Sequence, residues 1–391
     1  MRNRAAPMIY LAITDDWELR GDGSGDIEKL QFESMDRLIG ILERFGLKGT
    51  FYVEVGQQLA FRRNQDRNPE LARAATEWEE RVSRALGRGF DVQLHLHPQW
   101  FDSRYHNGRW DLRGKWELFE YSQEQALNML QVSKEYLERL SRRENPEHSI
   151  VAFRAGGWCF APSEHLLGSL VRLGIQIDCS IIQGLRIETA TRSVDYSDVD
   201  EGFLPYYPRM DDARRVSSGQ EPIICVPTAH FHARRRCLVR QLVKRGAKYF
   251  GQKLSVANPV HGRARDPSAI KNVSDPLPRA WNRIFSTCSS PSFRVADIAN
   301  LEYPLLREML HAIRIKARRS GAERVPVVIG CHTKDLRDFS SVERFALELS
   351  RSEDIKTITL SELSSMLRQG FFHVRQADET GTVGRSAGGG G

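Results

Sequence analysis

The chain has 391 residues, of which 40% are hydrophobic and 27% are charged, with a formal net charge of +7. This composition is typical of a globular protein, and no apolar stretch approaches the roughly 20 residues needed to cross a bilayer. The six cysteines are scattered without a Cys-x-x-Cys pair, which argues against a disulfide framework and favours a reducing compartment. We therefore expect a cytoplasmic protein whose moderate positive charge does not require nucleic acid as a partner.

Strands and helices are predicted to alternate along the chain. The first strand, 8–13, is an apolar run that ends in two adjacent carboxylates, Asp15 and Asp16. Further strands are predicted at 49–55, 90–98, 149–153, 175–181, 223–226, 325–329 and 356–360, and helices at 27–45, 69–86, 122–140, 163–173, 301–319, 342–349 and 361–367. Segments 57–67 and 100–116 are predicted to be loops. Seven or eight strand–helix units favour an α/β fold of the (β/α)7–8 barrel type.

Polar side chains stand near the carboxyl ends of several predicted strands. They are Asp15, Asp16, His95, His97, Arg154, Asp178 and His332. Because the carboxyl ends of barrel strands meet at one face, we expect these side chains to lie close together. His95 and His97 are two residues apart, so both face the same way on an extended chain.

Two imidazoles and a carboxylate can form a three-ligand site for a divalent metal that leaves positions open for water. One aspartate can then bind the metal while its neighbour acts as a base, and His332 can protonate a leaving group. The alternative is structural: the aspartates cap the next helix, and backbone groups satisfy the histidines. Recurrence of polar strand ends along the chain favours the metal site.

At this point the chain resembles the polysaccharide deacetylases of carbohydrate esterase type. The similar segments are 13–16, 49–53, 89–98, 153–158 and 329–332, and they occur in the family's order. They are similar to its Thr-Phe-Asp-Asp strand end, Ala-Thr-Phe-Phe-Val strand, His-x-x-x-His segment, Arg-x-Pro-x-Tyr segment and Leu-x-His segment. The resemblance implies a deformed β/α barrel with a bound divalent cation, Zn²⁺ being the first choice, that removes acetyl groups from sugars.

The resemblance also implies roles for individual residues. By matching position, Asp15 is the catalytic base and Arg154 orients it. Asp16 and His95 bind the metal, and His332 is the catalytic acid. The chain departs from the family four residues after His95, where Gln99 stands in place of the second histidine, and His97 is the expected substitute. Gly156 and Trp158 replace the family's proline and tyrosine. Asp178 is expected to complete the network around Arg154 or His332.

Aromatic side chains near these motifs are candidates for binding a sugar ring. Trp100 and Trp158 are the preferred pair, and Tyr206 is expected at the same mouth. Aromatic faces suit sugar rings, although such residues are more often simply buried.

A basic segment follows the sixth predicted strand. Residues 222–265 contain no acidic residue, and arginines and lysines cluster from Arg234 to Lys253. The segment is interpreted either as a solvated basic helix on the barrel, as an amphipathic helix at an anionic membrane, or as a contact for a substrate's diphosphate. We predict one catalytic domain over 1–373, with a basic insertion at about 230–290 and a disordered tail at 374–391.

The sequence thus predicts a metal-dependent hydrolase that removes an acetyl group from an N-acetylated sugar. The expected substrate is a surface-polysaccharide or lipopolysaccharide precursor, carried on a lipid or nucleotide diphosphate, at the inner face of the membrane. Two alternatives remain: hydrolysis of another C–N bond such as a formamide, and a non-catalytic glycan-binding relative.

Overall fold

The computed structural model describes residues 6–188, 193–235, 237–238, 292–336 and 338–377. Its strands are β1 (Met8–Trp17), β2 (Thr50–Glu54), β3 (Asp91–Leu96), β4 (Ser103–His106), β5 (Arg109–Leu112), β6 (Ala152–Ala155), β7 (Ile177–Asp178), β8 (Arg186–Glu188), β9 (Ser193–Asp195), β10 (Pro208–Arg209), β11 (Asp212–Val216), β12 (Ile224–Cys225), β13 (His230–His232), β14 (Phe293–Val295), β15 (Arg324–Ile329) and β16 (Ile355–Ile358). Its α-helices are α1 (Glu33–Arg44), α2 (Val55–Asn64), α3 (Pro69–Gly87), α4 (Gln123–Ser141), α5 (Leu166–Arg172), α6 (Tyr303–Ser320), α7 (Phe339–Ser350) and α8 (Leu360–Arg368).

A parallel sheet of eight strands forms the centre of the molecule. Its order is β12-β7-β6-β3-β2-β1-β15, and β16 pairs with β1 beside the start of β2. The ends of the sheet meet through a parallel bridge between Thr228 and Val328, where the Ala229 N–H donates to the Val328 carbonyl at 2.8 Å. The sheet therefore closes unevenly on itself, and this confirms the predicted deformed (β/α) barrel.

Alternation along the strands separates two apolar cores. Even-numbered residues of β1 face the barrel interior, where Ala12 packs with Tyr52 and Val328. Odd-numbered residues of β1 face the helices, where Trp17 packs against Trp78 of α3 at a ring-centroid distance of 5.3 Å. Strands covered on both faces read as continuous apolar runs, which is why 8–13 was recognisable in the sequence.

Most predicted helices are confirmed within a few residues of their ends. A capping box begins α4: the Ser122 hydroxyl accepts from the Gln125 N–H at 3.2 Å, and the Gln125 side chain accepts from the Ser122 N–H at 3.1 Å. This pairing satisfies two N–H groups that a helix start would otherwise leave open.

The prediction of a loop at 57–67 is wrong, because α2 occupies most of this segment. The Glu54 carboxylate accepts from the Gly56 N–H at 2.8 Å and caps the helix. The segment looked like a loop because it is polar, yet Gln57 and Gln58 are buried and hydrogen-bonded to Gln31 and to the Ala75 carbonyl. The second predicted loop, 100–116, contains the hairpin of β4 and β5.

The predicted insertion and tail fall largely outside the described residues. Of the basic segment, the described part reaches Arg235 and then includes Cys237 and Leu238. The predicted tail begins inside the packed molecule, because the Arg375 N–H donates to the Pro205 carbonyl at 2.8 Å, and the described chain continues to 377. Within the described ranges, no helix is both long and apolar enough to cross a membrane.

Candidate functional site

The end of β1 directs its two aspartates to opposite sides. Asp15 lies on the helix-facing side with Trp17, and its carboxylate accepts from the backbone N–H and hydroxyl of Thr333 at 2.9 and 3.1 Å. Burial raises the pKa of Asp15 to about 7. Asp16 faces the barrel interior and lines a cavity at the carboxyl ends of the strands. Glu18, two residues further on, lines the same cavity.

Glu18 belongs to a group of four buried residues that can hold a metal ion. Glu18, Glu54, His95 and His97 each offer one ligand atom, and these atoms all lie within 4.8 Å of one another. The sheet register brings them together, because Glu54 at the end of β2 stands opposite His95 of β3. The sequence predicts Asp16 as the carboxylate ligand of this group, whereas in the structure its two carboxylates belong to Glu18 and Glu54.

The imidazoles of this group present the atoms that a divalent cation needs. His95 Nδ1 lies 2.9 Å from the Arg154 carbonyl, so this nitrogen carries the proton and Nε2 keeps its lone pair. The Nε2 atoms of His95 and His97 lie 3.6 and 2.7 Å from Glu18 Oε2. Both nitrogens are buried, and neither contact with a described residue meets the angular geometry of a hydrogen bond. Two carboxylates and two imidazoles therefore fit a bound divalent metal.

The two carboxylates of the group differ in pKa. Burial acts to raise the pKa of Glu18, but the charges of His97 and Lys334 outweigh it and hold the pKa well below its usual value. Burial raises the pKa of Glu54 to about 8, and the charge of Glu18 adds to this effect. A cation here would favour the ionised form of Glu54, so metal binding is expected to release a proton.

A buried ion pair lies beside the metal-ligand group. Arg154 is 1% exposed, and its Nη1 donates to Asp16 Oδ1 at 2.5 Å. Its Nη2 donates to the Thr228 hydroxyl at 3.2 Å, and the guanidinium lies over the Tyr52 ring at 4.5 Å. Burial acts to raise the pKa of Asp16, but the charge of Arg154 outweighs it and the pKa is lowered. The expectation that Arg154 orients Asp15 is wrong, because only Asp16 faces the interior.

His332 flanks Asp16 on the other side. Its Nε2 lies 3.4 Å from Asp16 Oδ2, and its Nδ1 lies 2.9 Å from Asp297 Oδ2. Burial acts to lower the pKa of His332, but the charges of Asp297 and Asp16 outweigh it and raise the pKa to about 9. The side chain is therefore an imidazolium at neutral pH, with Nδ1 fixed by Asp297 and a proton available on Nε2.

Replacing Asp297 with asparagine is expected to lower the pKa of His332. The proton on His332 is lost as pH rises through about 9, and among the neighbouring groups Asp297 makes the largest contribution that raises this pKa. Without that charge the proton is lost at a lower pH. The check is an NMR titration of the His332 ring in both proteins; an unchanged pKa would show that another group controls it.

The cavity measures about 460 Å³ and has two tryptophans in its walls. The Trp158 ring lies 5.3 Å from the His332 ring, edge to face. Trp116 also lines the cavity and packs against Gly21, where a Cβ atom would stand 2.7 Å from the indole. Lys334 forms an ion pair with Glu18 in the same wall.

The placement of two other aromatic residues at the mouth is wrong. Trp100 is 2% exposed and packs against Phe61 and Trp110, at ring-centroid distances of 6.5 and 5.1 Å. Tyr206 is fully buried, and its hydroxyl donates to the Ala213 carbonyl at 2.5 Å. Both side chains contribute to packing, and Trp116 stands where Trp100 was expected.

Asp178 lies in the barrel interior without contacting His332 in the described part of the chain. Its oxygens accept from the hydroxyl and N–H of Ser180 at 2.6 and 3.1 Å. Burial raises its pKa to about 7, while the charge of Arg154 acts to lower it. The His332 partner is instead Asp297, so that part of the Asp178 prediction is corrected.

Four residues of the candidate site were not predicted from the sequence: Glu18, Glu54, Asp297 and Lys334. Glu18 was within reach, because it follows Asp16 at the two-residue spacing of one strand face. Glu54 also ends a predicted strand. Asp297 has no comparable signal, since its pairing with His332 depends on a contact between distant segments.

Comparisons with known proteins find only solved structures of low sequence identity. No family model and no curated protein matches the chain. A solved structure described as a polysaccharide deacetylase from Mycobacterium smegmatis is 15% identical, with a TM-score of 0.48 and coverage of 96% of this chain and 95% of that one. One so described from Pseudomonas aeruginosa is 11% identical, with a TM-score of 0.45 and coverage of 95% and 97%. Puue allantoinase is 11% identical, with a TM-score of 0.42 and coverage of 94% and 95%.

Proposed function

We propose that this chain is a metal-dependent hydrolase of polysaccharide-deacetylase type, which removes an acetyl group from an N-acetylated sugar. The observation that carries the proposal is the meeting of two chemical units in one cavity. One unit is the buried donor group formed by Glu18, Glu54, His95 and His97. The other is the carboxylate–imidazolium pair of Asp16 and His332, with their charged partners.

In the proposed enzyme the metal is held by the four-residue donor group, an assignment supported by the close approach of its ligand atoms. When bound, a divalent cation such as Zn²⁺ would polarise the acyl carbonyl and lower the pKa of a water molecule. Glu18 and Glu54 supply negative charge to balance the cation, and His95 is held in the required tautomer by the Arg154 carbonyl.

The remaining residues move protons in the proposed reaction. Asp16, kept ionised by Arg154, accepts the proton of the attacking water as its oxygen bonds to the acyl carbon. His332 donates its Nε2 proton to the nitrogen of the breaking C–N bond, so the products are acetate and a free amine. Asp297 holds Nδ1 and stabilises the imidazolium before this transfer. Trp158 and Trp116 provide faces for the sugar ring.

The substrate's wider identity is part of the proposal. A surface-polysaccharide or lipopolysaccharide precursor carried on a lipid or nucleotide diphosphate would suit the basic segment that begins near Arg234. That segment lies mostly outside the described residues. The same catalytic groups would serve a formamide or another C–N bond, since none of the roles assigned above involves the acyl substituent.

One observation favours a non-catalytic glycan-binding relative. Lys334, whose side chain is 14% exposed, forms an ion pair with Glu18 and so supplies a cation from the chain itself. Such a protein would need no metal to balance the charge of Glu18, and sugar binding should then be insensitive to a chelator.

Metal analysis of the purified protein separates these cases. We expect about one equivalent of divalent metal in wild type, lost from Glu18→Gln, His95→Ala and His97→Ala because each removes a donor. Asp16→Asn and the control Asp22→Asn, which lines the same cavity, should retain it. Acetate release from a panel of N-acetylated sugars should then follow metal content.

Two results would contradict this assignment. Loss of metal from Asp16→Asn, with retention in Glu18→Gln, would restore Asp16 as the ligand predicted from the sequence. Wild type that holds no metal even after soaking with Zn²⁺ would support the glycan-binding relative.

A further inference from the structure

Gly156 lies against the ring of His97. It follows β6 directly and begins a short 3₁₀ turn, Gly156–Trp158. A Cβ atom at position 156 would stand 2.5 Å from His97 Cγ and 2.7 Å from both Cδ2 and Nδ1. Non-bonded carbon atoms approach to about 3.5–4.0 Å, so no side chain fits there unless the imidazole moves.

Space, and not backbone conformation, explains the glycine at this position. Gly156 does not have a positive φ, whereas the next residue, Gly157, has a φ of +59°. Alanine is therefore compatible with the backbone at 156, while at 157 it would adopt a disfavoured left-handed conformation. A substitution at 156 would act mainly through the contact with His97.

The His97 ring has little room to move away. It is 5% exposed, its Nε2 lies 2.7 Å from Glu18 Oε2, and its Nδ1 lies 3.2 Å from Gln99 Nε2. Its backbone N–H also donates to Glu54 Oε2 at 2.6 Å. A displacement of the ring by even a few tenths of an ångström would thus change the distance from Nε2 to the carboxylates of the donor group.

We propose that Gly156 is a positioning residue for the metal site: the missing side chain lets His97 reach the donor group. The part of this inference that concerns metal binding rests on the proposed function. The contact between Gly156 and His97 does not depend on it. Residues around metal ligands typically contribute about 10–100-fold to metal affinity. We expect Gly156→Ala to weaken Zn²⁺ binding by a factor in that range.

A double-mutant cycle tests the proposal. The proteins are wild type, Gly156→Ala, His97→Ala and the double variant, with Gly168→Ala as a matched control because a Cβ at 168 meets nothing within 4 Å. Zn²⁺ affinity is measured by competition with a chelator. We expect Gly156→Ala to weaken binding and the control to leave it unchanged; the two proteins without His97, which are expected to lose the metal, are compared by unfolding.

The free energy of unfolding of the same proteins, measured without metal, tests the contact between Gly156 and His97 independently of the proposed function. Gly156→Ala should lower the free energy of unfolding in the wild-type background but not in the His97→Ala background. If Gly156→Ala alone failed to fold while the double variant folded, that result would support the inference equally. Equal effects in both backgrounds would overturn the inference. So would wild-type Zn²⁺ affinity in Gly156→Ala. If wild type bound no Zn²⁺ while the unfolding cycle showed coupling, the proposed function would fail and the positioning contact would stand.

Discussion

Replacing Asp16 with asparagine is expected to lower kcat by about 10²–10⁴-fold, the range that general acid–base catalysis usually contributes. Asp16 is the carboxylate that faces the cavity, and it lies between Arg154 and His332. Asparagine keeps the shape but cannot accept the water proton. Because Asp16 stands outside the four-residue donor group, metal content should remain that of wild type.

The matching Asp15→Asn variant is the control for this prediction. Asp15 faces the helices, and its oxygens accept from Thr333. An asparagine oxygen can still accept from the Thr333 N–H, so we expect a smaller loss of kcat than in Asp16→Asn. Acetate release and metal content should be measured for both. The reverse order of losses would establish Asp15 as the base, as the sequence resemblance implied.

Replacing Arg154 with methionine is expected to reduce the free energy of unfolding by about 3–5 kcal/mol, the usual cost of breaking a buried ion pair. The variant removes the nearer of the two charged partners of Asp16, which is 2% exposed, and leaves the carboxylate in the barrel interior with His332 alone. Denaturant unfolding of the metal-free protein provides the measurement. Protonation of Asp16 should recover part of the loss as pH falls.

The double variant Arg154→Met, Asp16→Asn identifies the cause of that loss. If an uncompensated carboxylate is responsible, removing it should restore part of the stability lost in the single variant. If the double variant is as unstable as the sum of both single variants, the loss comes from the other contacts of Arg154, with Thr228 and the Tyr52 ring.

The barrel could be predicted because its strands are buried on both faces and stand out as apolar runs. The strand at 8–13 and the helix that starts at Ser122 illustrate this, since local pattern and capping chemistry decide both. The helix α2 could not be predicted in the same way. The side chains of its buried glutamines form hydrogen bonds with distant partners such as Gln31 and Ala75, and the composition of the segment does not indicate these contacts.

The candidate site was predictable in type but not in assignment. The sequence located both histidines of the donor group, because both stand at a predicted strand end. The predicted first strand ends at Ile13, whereas β1 continues to Trp17 and Glu18 follows it directly, so Glu18 was not recognised as a neighbour of the aspartates. The pairing of His332 with Asp297 depends on the fold around it. Burial of Trp100 depends equally on neighbours that are not adjacent in sequence.

The closure of the barrel between Thr228 and Val328 implies that two parts of the site differ in how firmly the backbone holds them. Glu18, Glu54 and the two histidines are anchored on or next to β1, β2 and β3, which share a continuous ladder of backbone hydrogen bonds. Thr228, which holds Arg154, belongs to an isolated bridge. Transient opening of that bridge would break the hydrogen bond between Arg154 and Thr228 and weaken the ion pair between Arg154 and Asp16. The donor group would keep its geometry through the same fluctuation.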